Sequence, residues 1–227
     1  MAIAYNTSNV VRDGLVLYLD AANKKSYPGS GTTWNDLSGL ENHGSLVSGP
    51  AYNSSNLGNI IFDGTDDYVN ITTSQITAAT TITVEGFIKW ISLNGGMFLG
   101  MSTYDVWTSG GTLGYNNGES NVIGISAATV TALGLVGNYK HYAFTMNSTG
   151  LLSTNKIHIN GVEQSISAVV NSDGNIPGFN NSIRLASWNN GGFNGNVSYG
   201  NVRIYNRALS NTEIQQNFNA LRGRYNV

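Results

Sequence analysis

The sequence predicts an all-β fold, two antiparallel sheets packed face to face as a jelly-roll sandwich, with one short α-helix at the C-terminal end. Three observations carry this. The 227 residues include only 24 charged side chains (11%) but 31 Asn, 23 Ser, 19 Thr and 28 Gly, a composition that favours strands and turns over helices. Short apolar or alternating runs recur along the chain, separated by clusters of Gly, Asn, Ser and Asp. The segment LSNTEIQQNFNALRG near the end instead has the helical period.

Composition also bounds function. Leu, Ile, Val and Phe make up 57 residues, a quarter of the chain and above the roughly 20% floor for folded proteins. A formal charge of −2 with scattered Lys and Arg offers no basic field for nucleic acid. No apolar stretch approaches the roughly 20 residues that cross a bilayer, so no membrane insertion is expected. With no cysteine, disulfides and thiolate chemistry are excluded. Six N-x-S/T sequons are about what chance gives in so Asn-rich a chain and carry no information.

The strands follow in order. Residues 15–19 form a continuous apolar run, and residues 59–63 and 68–71 flank an Asp63-Gly64 turn. The clearest alternation is TITVEGFIKWI, with Ile82, Val84, Ile88 and Trp90 on one face and Thr81, Thr83, Glu85 and Lys89 on the other. Gly86 interrupts the inward row, which predicts a bulge or a close backbone approach. Further strands are expected at 97–101, 105–107, 121–125, 139–146 and 183–188. Asn160-Gly161 between two alternating runs predicts a type I′ hairpin. A last strand, 196–206, reads as one row through Ser198, Gly200, Val202 and Ile204. The helix has Ser210 and Glu213 as a capping box, a Leu209–Ile214 staple, an apolar stripe of Ile214, Phe218 and Leu221, and Gly223 as its stop.

Several stretches together resemble a known family. DGLVLYLDAAN, WNDLSGLENHGSL and IIFDGTDDYVNI look like the first strands and the Phe-Asp-Gly turn of laminin G-like domains in the concanavalin A-like lectin and glucanase superfamily. YKHYAFTMNSTG with KIHINGV resembles that family's central strand pair, and IRLASWNNGGFNGNVSYGNVRIYNRALSNTEI its closing signature. The resemblance implies a concanavalin A-like jelly roll whose rim loops or concave face bind glycans or proteins, often with calcium, and it extends to some glycosidases. Fold alone does not choose among these.

The residues narrow the choice. Glycosidases need a carboxylate pair flanking the scissile bond, and Glu41, Glu85, Glu119, Glu163 and Glu213 each stand alone, so no enzyme is expected. Asp63, Asp66 and Asp67, three acids within five residues, are the candidate calcium ligands, since hard cations take carboxylate and carbonyl oxygens; a plain turn is the competing reading. Asp105, Glu119 and Asp173 are possible additions. His43, His141 and His158 have no metal-ligand spacing. For glycans, aromatic faces with nearby amides are the expected chemistry. Two loops offer it: Tyr104, Trp107, Tyr115, Asn116 and Asn117, and then Trp188, Asn189, Asn190 and Phe193. Core packing competes for Trp107 and Trp188, whereas Tyr115 with Asn116-Asn117-Gly118 reads as an exposed loop tip.

A recognition domain acts outside a cell, yet the opening MAIAYNTSNVVRDG has neither the basic nor the apolar region of a secretory signal. The expected setting is therefore a tailed bacteriophage virion. There the chain would decorate the capsid, or sit on a fibre or tail, with other virion proteins and surface glycans as partners and homo-oligomers compatible. Residues 1–12 would be an anchoring arm and 13–227 a single domain. The alternatives are an extracellular bacterial carbohydrate-binding module and, behind it, a glycoside hydrolase or lyase.

Overall fold

A computed structural model describes residues 9–102, 104–117, 121–170 and 178–227. The chain runs through β1 (Leu15–Asp20), β2 (Thr33–Trp34), β3 (Gly44–Val47), β4 (Ala51–Asn53), β5 (Asn59–Asp63), β6 (Tyr68–Thr72) and β7 (Thr81–Trp90). It continues through β8 (Met97–Gly100), β9 (Asp105–Ser109), β10 (Thr112–Asn116), β11 (Val122–Ile125) and a short helix, α1 (Ala127–Ala132). The last elements are β12 (Tyr139–Asn147), β13 (Lys156–Ile159), β14 (Val162–Gln164), β15 (Ser167–Val170), β16 (Ser182–Leu185), β17 (Asn196–Tyr205) and α2 (Asn211–Tyr225). All pairings between strands are antiparallel. The first sheet has the order β14-β13-β12-β7-β17-β5-β4, with β1 also on β17, and the second β15-β11-β10-β9-β8-β16-β6-β3-β2. This is the expected two-sheet sandwich.

The core lies between the sheets because the period-2 pattern turns one row of each strand inward. Ile82, Val84, Ile88 and Trp90 of β7 meet Val69, Ile71, Leu113, Tyr115, Ile183 and Leu185 from the facing sheet in a single apolar cluster. Gly86 is a close approach: a Cβ there would lie 2.2 Å from the Asn201 carbonyl oxygen. The neighbouring strand bulges at that point, between Tyr199 and Asn201. The bulge corrects the single row expected for the last strand: Ser198 faces away from the core cluster, while Val202 and Ile204 belong to it. The same irregularity lets β17 serve two partners, β5 along Asn196–Tyr199 and β1 along its second half. Asn160 (φ 50°) and Gly161 (φ 78°) make the expected hairpin turn with positive φ at both positions.

Helix α2 closes the outer face of the first sheet. Its capping box is formed, with Glu213 N–H donating to Ser210 Oγ and Ser210 N–H donating to Glu213 Oε2. The helix does not stop at Gly223: it runs to Tyr225 and is capped by Asn226 in the left-handed region. Packing explains the extra turn. Tyr225 stacks on Phe87 (4.4 Å between centroids, 9° between planes), and Arg224 reaches Asp20 at 2.9 Å. Gly200 makes room, since a Cβ there would fall 2.0 Å from the Tyr225 hydroxyl.

Beneath the helix lies a buried polar network. Arg203 Nε donates to Glu85 Oε1 at 2.6 Å, with both side chains fully buried. Asn217 of α2 donates to the same oxygen (2.8 Å) and to Tyr205 (3.1 Å), and His141 Nε2 lies 3.3 Å from Glu85 Oε2. Burial alone would raise the Glu85 carboxyl, but the Arg203 charge, aided by His141, holds it below its ordinary value. Burial in turn holds His141 below the usual histidine range, in spite of Glu85. Val11 N–H donates to Asn217 Oδ1 and Tyr205 OH to the Val11 carbonyl, while Gln216 donates to Asn9. Of the segment expected as an arm, residues 1–8 lie outside the described residues, and 9–12 are thus tied to the helix and sheet.

Removing one member of such a pair leaves the other charge buried alone, which typically costs about 3–5 kcal/mol. Glu85→Gln is expected to lose that much in urea unfolding, and Glu213→Gln, which can keep the capping box and loses the part-exposed pair with Arg207, at most about 1 kcal/mol. Equal losses for the two variants would show that the buried pair has no special weight.

Candidate functional site

With one sheet face covered by α2, the outer face of the second sheet keeps part-exposed outward side chains on β3, β6 and β16, while those of β8–β11, among them Met97, Asp105, Trp107 and Val122, are buried. Its most elaborated part is the turn after β16. Ala186 takes φ 63°, which ends the strand three residues earlier than the expected 188, and Gly191, Gly192 and Phe193 also have positive φ (91°, 85° and 49°). The turn is internally braced. Gly191 N–H donates to Trp188 O, Trp188 N–H to Gly192 O and Gly195 N–H to Ala186 O, while Phe193 O accepts from Met97 N–H. Phe193 is 49% exposed and stands edge-on to both Trp107 (5.5 Å, 86°) and Trp188 (6.2 Å, 75°).

The fold therefore gathers residues from both predicted glycan loops, though not all of them. Trp107 is almost buried beneath Phe193, Trp188 and Asn189 are partly exposed, and Asn190 is exposed. Tyr104 and Tyr115 are corrections. Tyr115 is not a loop tip: it lies on β10, fully buried, and its hydroxyl donates to Thr145 O and Lys156 O across the core. Tyr104 is equally buried, stacked on Phe179, and its hydroxyl donates to Asn147 O. Asn116 is buried and donates to Asp105 Oδ2; Asn117 is partly buried at the end of β10. Gly118, Glu119 and Asp173 lie outside the described residues. Two members of the open face were missed. Tyr68 and Arg184 belong to outward rows of β6 and β16, and the signal was present in the alternation of Ser182, Ile183, Arg184 and Leu185.

The acidic trio is assembled. One oxygen each from Asp63, Asp66 and Asp67 lies within 4.8 Å of the others, and among the described residues this is the only such group of three. Asp63 N–H donates to Asp67 Oδ2 and Thr65 N–H to Asp63 Oδ1. Burial, and then the charges of Asp63 and Asp66, push the Asp67 carboxyl up despite the Asp63 N–H. Three acidic oxygens that repel one another fit a hard cation such as calcium, which takes carboxylates together with carbonyls and water. The turn also adjoins the aromatic loop, because Asn194 Nδ2 donates to Thr65 O and Gly64 packs on Asn196.

Three glutamates of the described residues have bases or amides as their partners. The groups that touch Glu85 are Arg203, Asn217 and His141, Glu163 pairs with Lys156 and Glu213 with Arg207. No helix among the described residues is long and apolar enough to cross a membrane.

A family model described as concanavalin A-like lectin/glucanases superfamily, of the laminin G type, matches residues 63–215. The chain belongs to this superfamily. No curated protein matches it. Among solved structures, it resembles the receptor-binding domain of the botulinum neurotoxin C/D mosaic serotype (TM-score 0.64, 13% identity, 92% of this chain and 51% of that one). It also resembles a structure of botulinum neurotoxin type C, whose cell entry depends on interaction with two ganglioside molecules (TM-score 0.66, 16% identity, 93% and 52%). A third is the binding domain of Paraclostridial Mosquitocidal Protein 1 (TM-score 0.62, 15% identity, 91% and 52%). The chain spans about half the length of each, and at these identities the likeness is one of fold.

This member of the superfamily carries a titratable group on the outward row of β9. Asp105 is fully buried, accepts from Met101 N–H (2.6 Å) and Asn116 (3.4 Å), and burial pushes its carboxyl up to about 7 in spite of both donors. A carboxyl raised in the folded state keeps its proton where the unfolded chain has lost it, so stability falls as pH rises between about 4 and 7. Asp105→Asn is expected to abolish that decline and raise Tm at pH 8 but not at pH 4. Identical pH profiles of Tm for parent and variant would refute the assignment.

Proposed function

We propose that this chain is a non-catalytic adhesion module that binds glycans on the outer face of its second sheet, with the braced loop 186–195 as the contact, and that it is displayed on the surface of a tailed-phage virion. The observation that carries the glycan reading is Phe193. A bulky side chain with positive φ costs about 1–2 kcal/mol, and here the strain holds an aromatic ring half out in solvent, edge-on to two tryptophans, in the loop that also carries Asn189 and Asn190. Strain of this kind persists where function uses it, and aromatic faces with convergent amides suit sugar rings and hydroxyls. Ganglioside dependence of the type C neurotoxin supports the same class of ligand. The buried Glu85 and the separately paired glutamates support a non-catalytic role.

Calcium at Asp63, Asp66 and Asp67 would relieve their mutual repulsion and stiffen the turn that Asn194 joins to the loop. The virion placement rests on composition: a cysteine-free, low-charge chain whose stability does not depend on redox compartment. Peptides of the chain in purified, washed particles are the expected finding. Their absence from particles, with the protein in the medium of uninfected bacteria, would favour the extracellular carbohydrate-binding module.

Phe193→Gly separates function from stability. Glycine adopts the left-handed region freely, so Tm is expected to stay level or rise, while binding on a glycan array falls at least about tenfold, as the loss of a stacking anchor would give. Unchanged glycan binding in this variant would sink the proposed contact. Calcium is expected to raise Tm by a few degrees in the parent and not in Asp66→Asn, as mass action on a native-state site requires.

A further inference from the structure

The open face also carries a cation without a counter-charge. Cross-strand register places Thr33, Ser45, Asn70, Arg184 and Gly100 in one transverse row across β2, β3, β6, β16 and β8. Directly opposed residues share a face, and Thr33 and Ser45 are exposed while Asn70 and Arg184 are half-buried. The row is thus neutral and hydrogen-bonding except at Arg184. Its guanidinium carbon lies 4.1 Å from the centroid of the Tyr68 ring, and Nη1 donates to Trp188 O at 3.2 Å. Arg203, Arg207 and Arg224 each take a carboxylate at 2.9 Å or less. Arg184 has none among the described residues, and its Nε is enclosed without an acceptor.

This guanidinium is positioned in advance. Stacking on Tyr68 and the bond to Trp188 O fix its plane, and the Gly191 backbone passes near Nη1, where a Cβ would stand 4.0 Å away. Partial burial strips water from the charge without supplying an anion, so an incoming anion gains more there than at a free arginine. With Nε enclosed and one Nη1 hydrogen on Trp188 O, the remaining Nη1 and Nη2 hydrogens form the planar fork that matches the two oxygens of a carboxylate. Ser182 lies two residues along the same outward row and is joined to Asn189 at 2.9 Å, which sets an amide near the guanidinium, and the aromatic loop begins at Trp188, whose carbonyl the guanidinium holds.

We infer that Arg184, held between Tyr68 and the Trp188 carbonyl, selects glycans that carry a carboxylate, with the acidic sugar seated on the β6 and β16 rows beside the aromatic loop. This rests on the glycan reading above and names its ligand class. The acidic group is one chemistry with two sources, a terminal sialic acid or a chain uronic acid.

Calorimetric titration of the full chain with sialyllactose, with tetragalacturonate and with the methyl ester of each tests it. The esters keep the sugar and remove the charge. The parent is expected to bind at least one acid roughly tenfold more tightly than its ester, as a charge-assisted pair gives, and that ratio should shrink with salt. In Arg184→Gln the ratio is expected to fall to about one. In Arg184→Lys, which keeps the charge but not the planar fork, it should fall to an intermediate value. Which acid shows the preference assigns the source. Acid and ester bound equally by the parent, or a preference that survives in a folded Arg184→Gln, would overturn the inference and leave the glycan reading intact. Failure of all four probes, and of a neutral glycan array, would remove both.

Discussion

The ion pair of Glu85 and Arg203 is the constraint on which the rest of the architecture depends. Two full charges on adjacent strands of the first sheet have no access to water, and isolated charges in that position would not be tolerated. The sheet does not complete the network alone, because the Glu85 oxygen that Arg203 holds also accepts from Asn217 of α2, and the neighbouring hydroxyl of Tyr205 donates to the backbone at Val11. One buried carboxylate thereby ties together β7, β17, the helix and the start of the described chain. Elements far apart in sequence, Val11 and Asn217 among them, become a single cooperative unit.

That closure decides which outer face stays open. A sandwich has two outer faces, and α2 removes one of them by laying Phe218 and Tyr225 against Phe87. The second sheet keeps the outer rows of β3, β6 and β16 part-exposed, and the chain adds beside them not a helix but a short loop held by its own backbone hydrogen bonds. Glycines at 191 and 192 supply positive φ without strain, whereas Ala186 and Phe193 adopt it with strain. The first closes a strand and the second sets an aromatic ring in solvent. Rigidity of this kind lowers the ordering cost of any binding at the loop, which is what the proposed glycan contact requires.

Most of the strands were legible because one buried face imposes a period of two, and the TITVEGFIKWI run shows it residue by residue. The failures have a common physical origin in glycine and asparagine. TLGYNN reads as loop because Gly114 and the asparagines signal turns, yet Gly114 lies opposite Gly124, and a Cβ on it would stand 2.5 Å from the Ile123 carbonyl oxygen. Glycine there serves close approach of two strands, not reversal, and sequence does not distinguish the two uses. That misreading turned Tyr115 outward. Gly223 misled in the opposite direction, since helix propensity was overridden by tertiary contacts of Arg224 and Tyr225. Of the site, the loop 188–193 was visible as aromatic and amide chemistry, and the outward side of Arg184 could be read from the alternation of β16; its adjacency to Tyr68 could not, because that is a matter of register between β6 and β16.

Register also changes the meaning of the low charge content. Read from composition, the many asparagines describe a neutral surface suited to hydroxyls. The fold moves a good number of them inside: Asn42, Asn59, Asn116, Asn121, Asn155, Asn201 and Asn217 are all buried. Several bond to backbone, as Asn155 does to Asn147 N–H and Asn42 to Val16 O. They fill the role that buried polar groups must fill, satisfying donors and acceptors that strands and turns leave over. The neutral surface is therefore smaller than the count suggests, and charges within it are correspondingly informative. Where Arg203 and Arg224 are tied to partners that hold the fold together, Arg184 is tied only to a ring and a carbonyl on the open face. Arg12 and Arg222 also lack a carboxylate among the described residues, but Arg184 is the one that stands beside the aromatic loop, and that position is why the proposed acidic ligand is assigned to it.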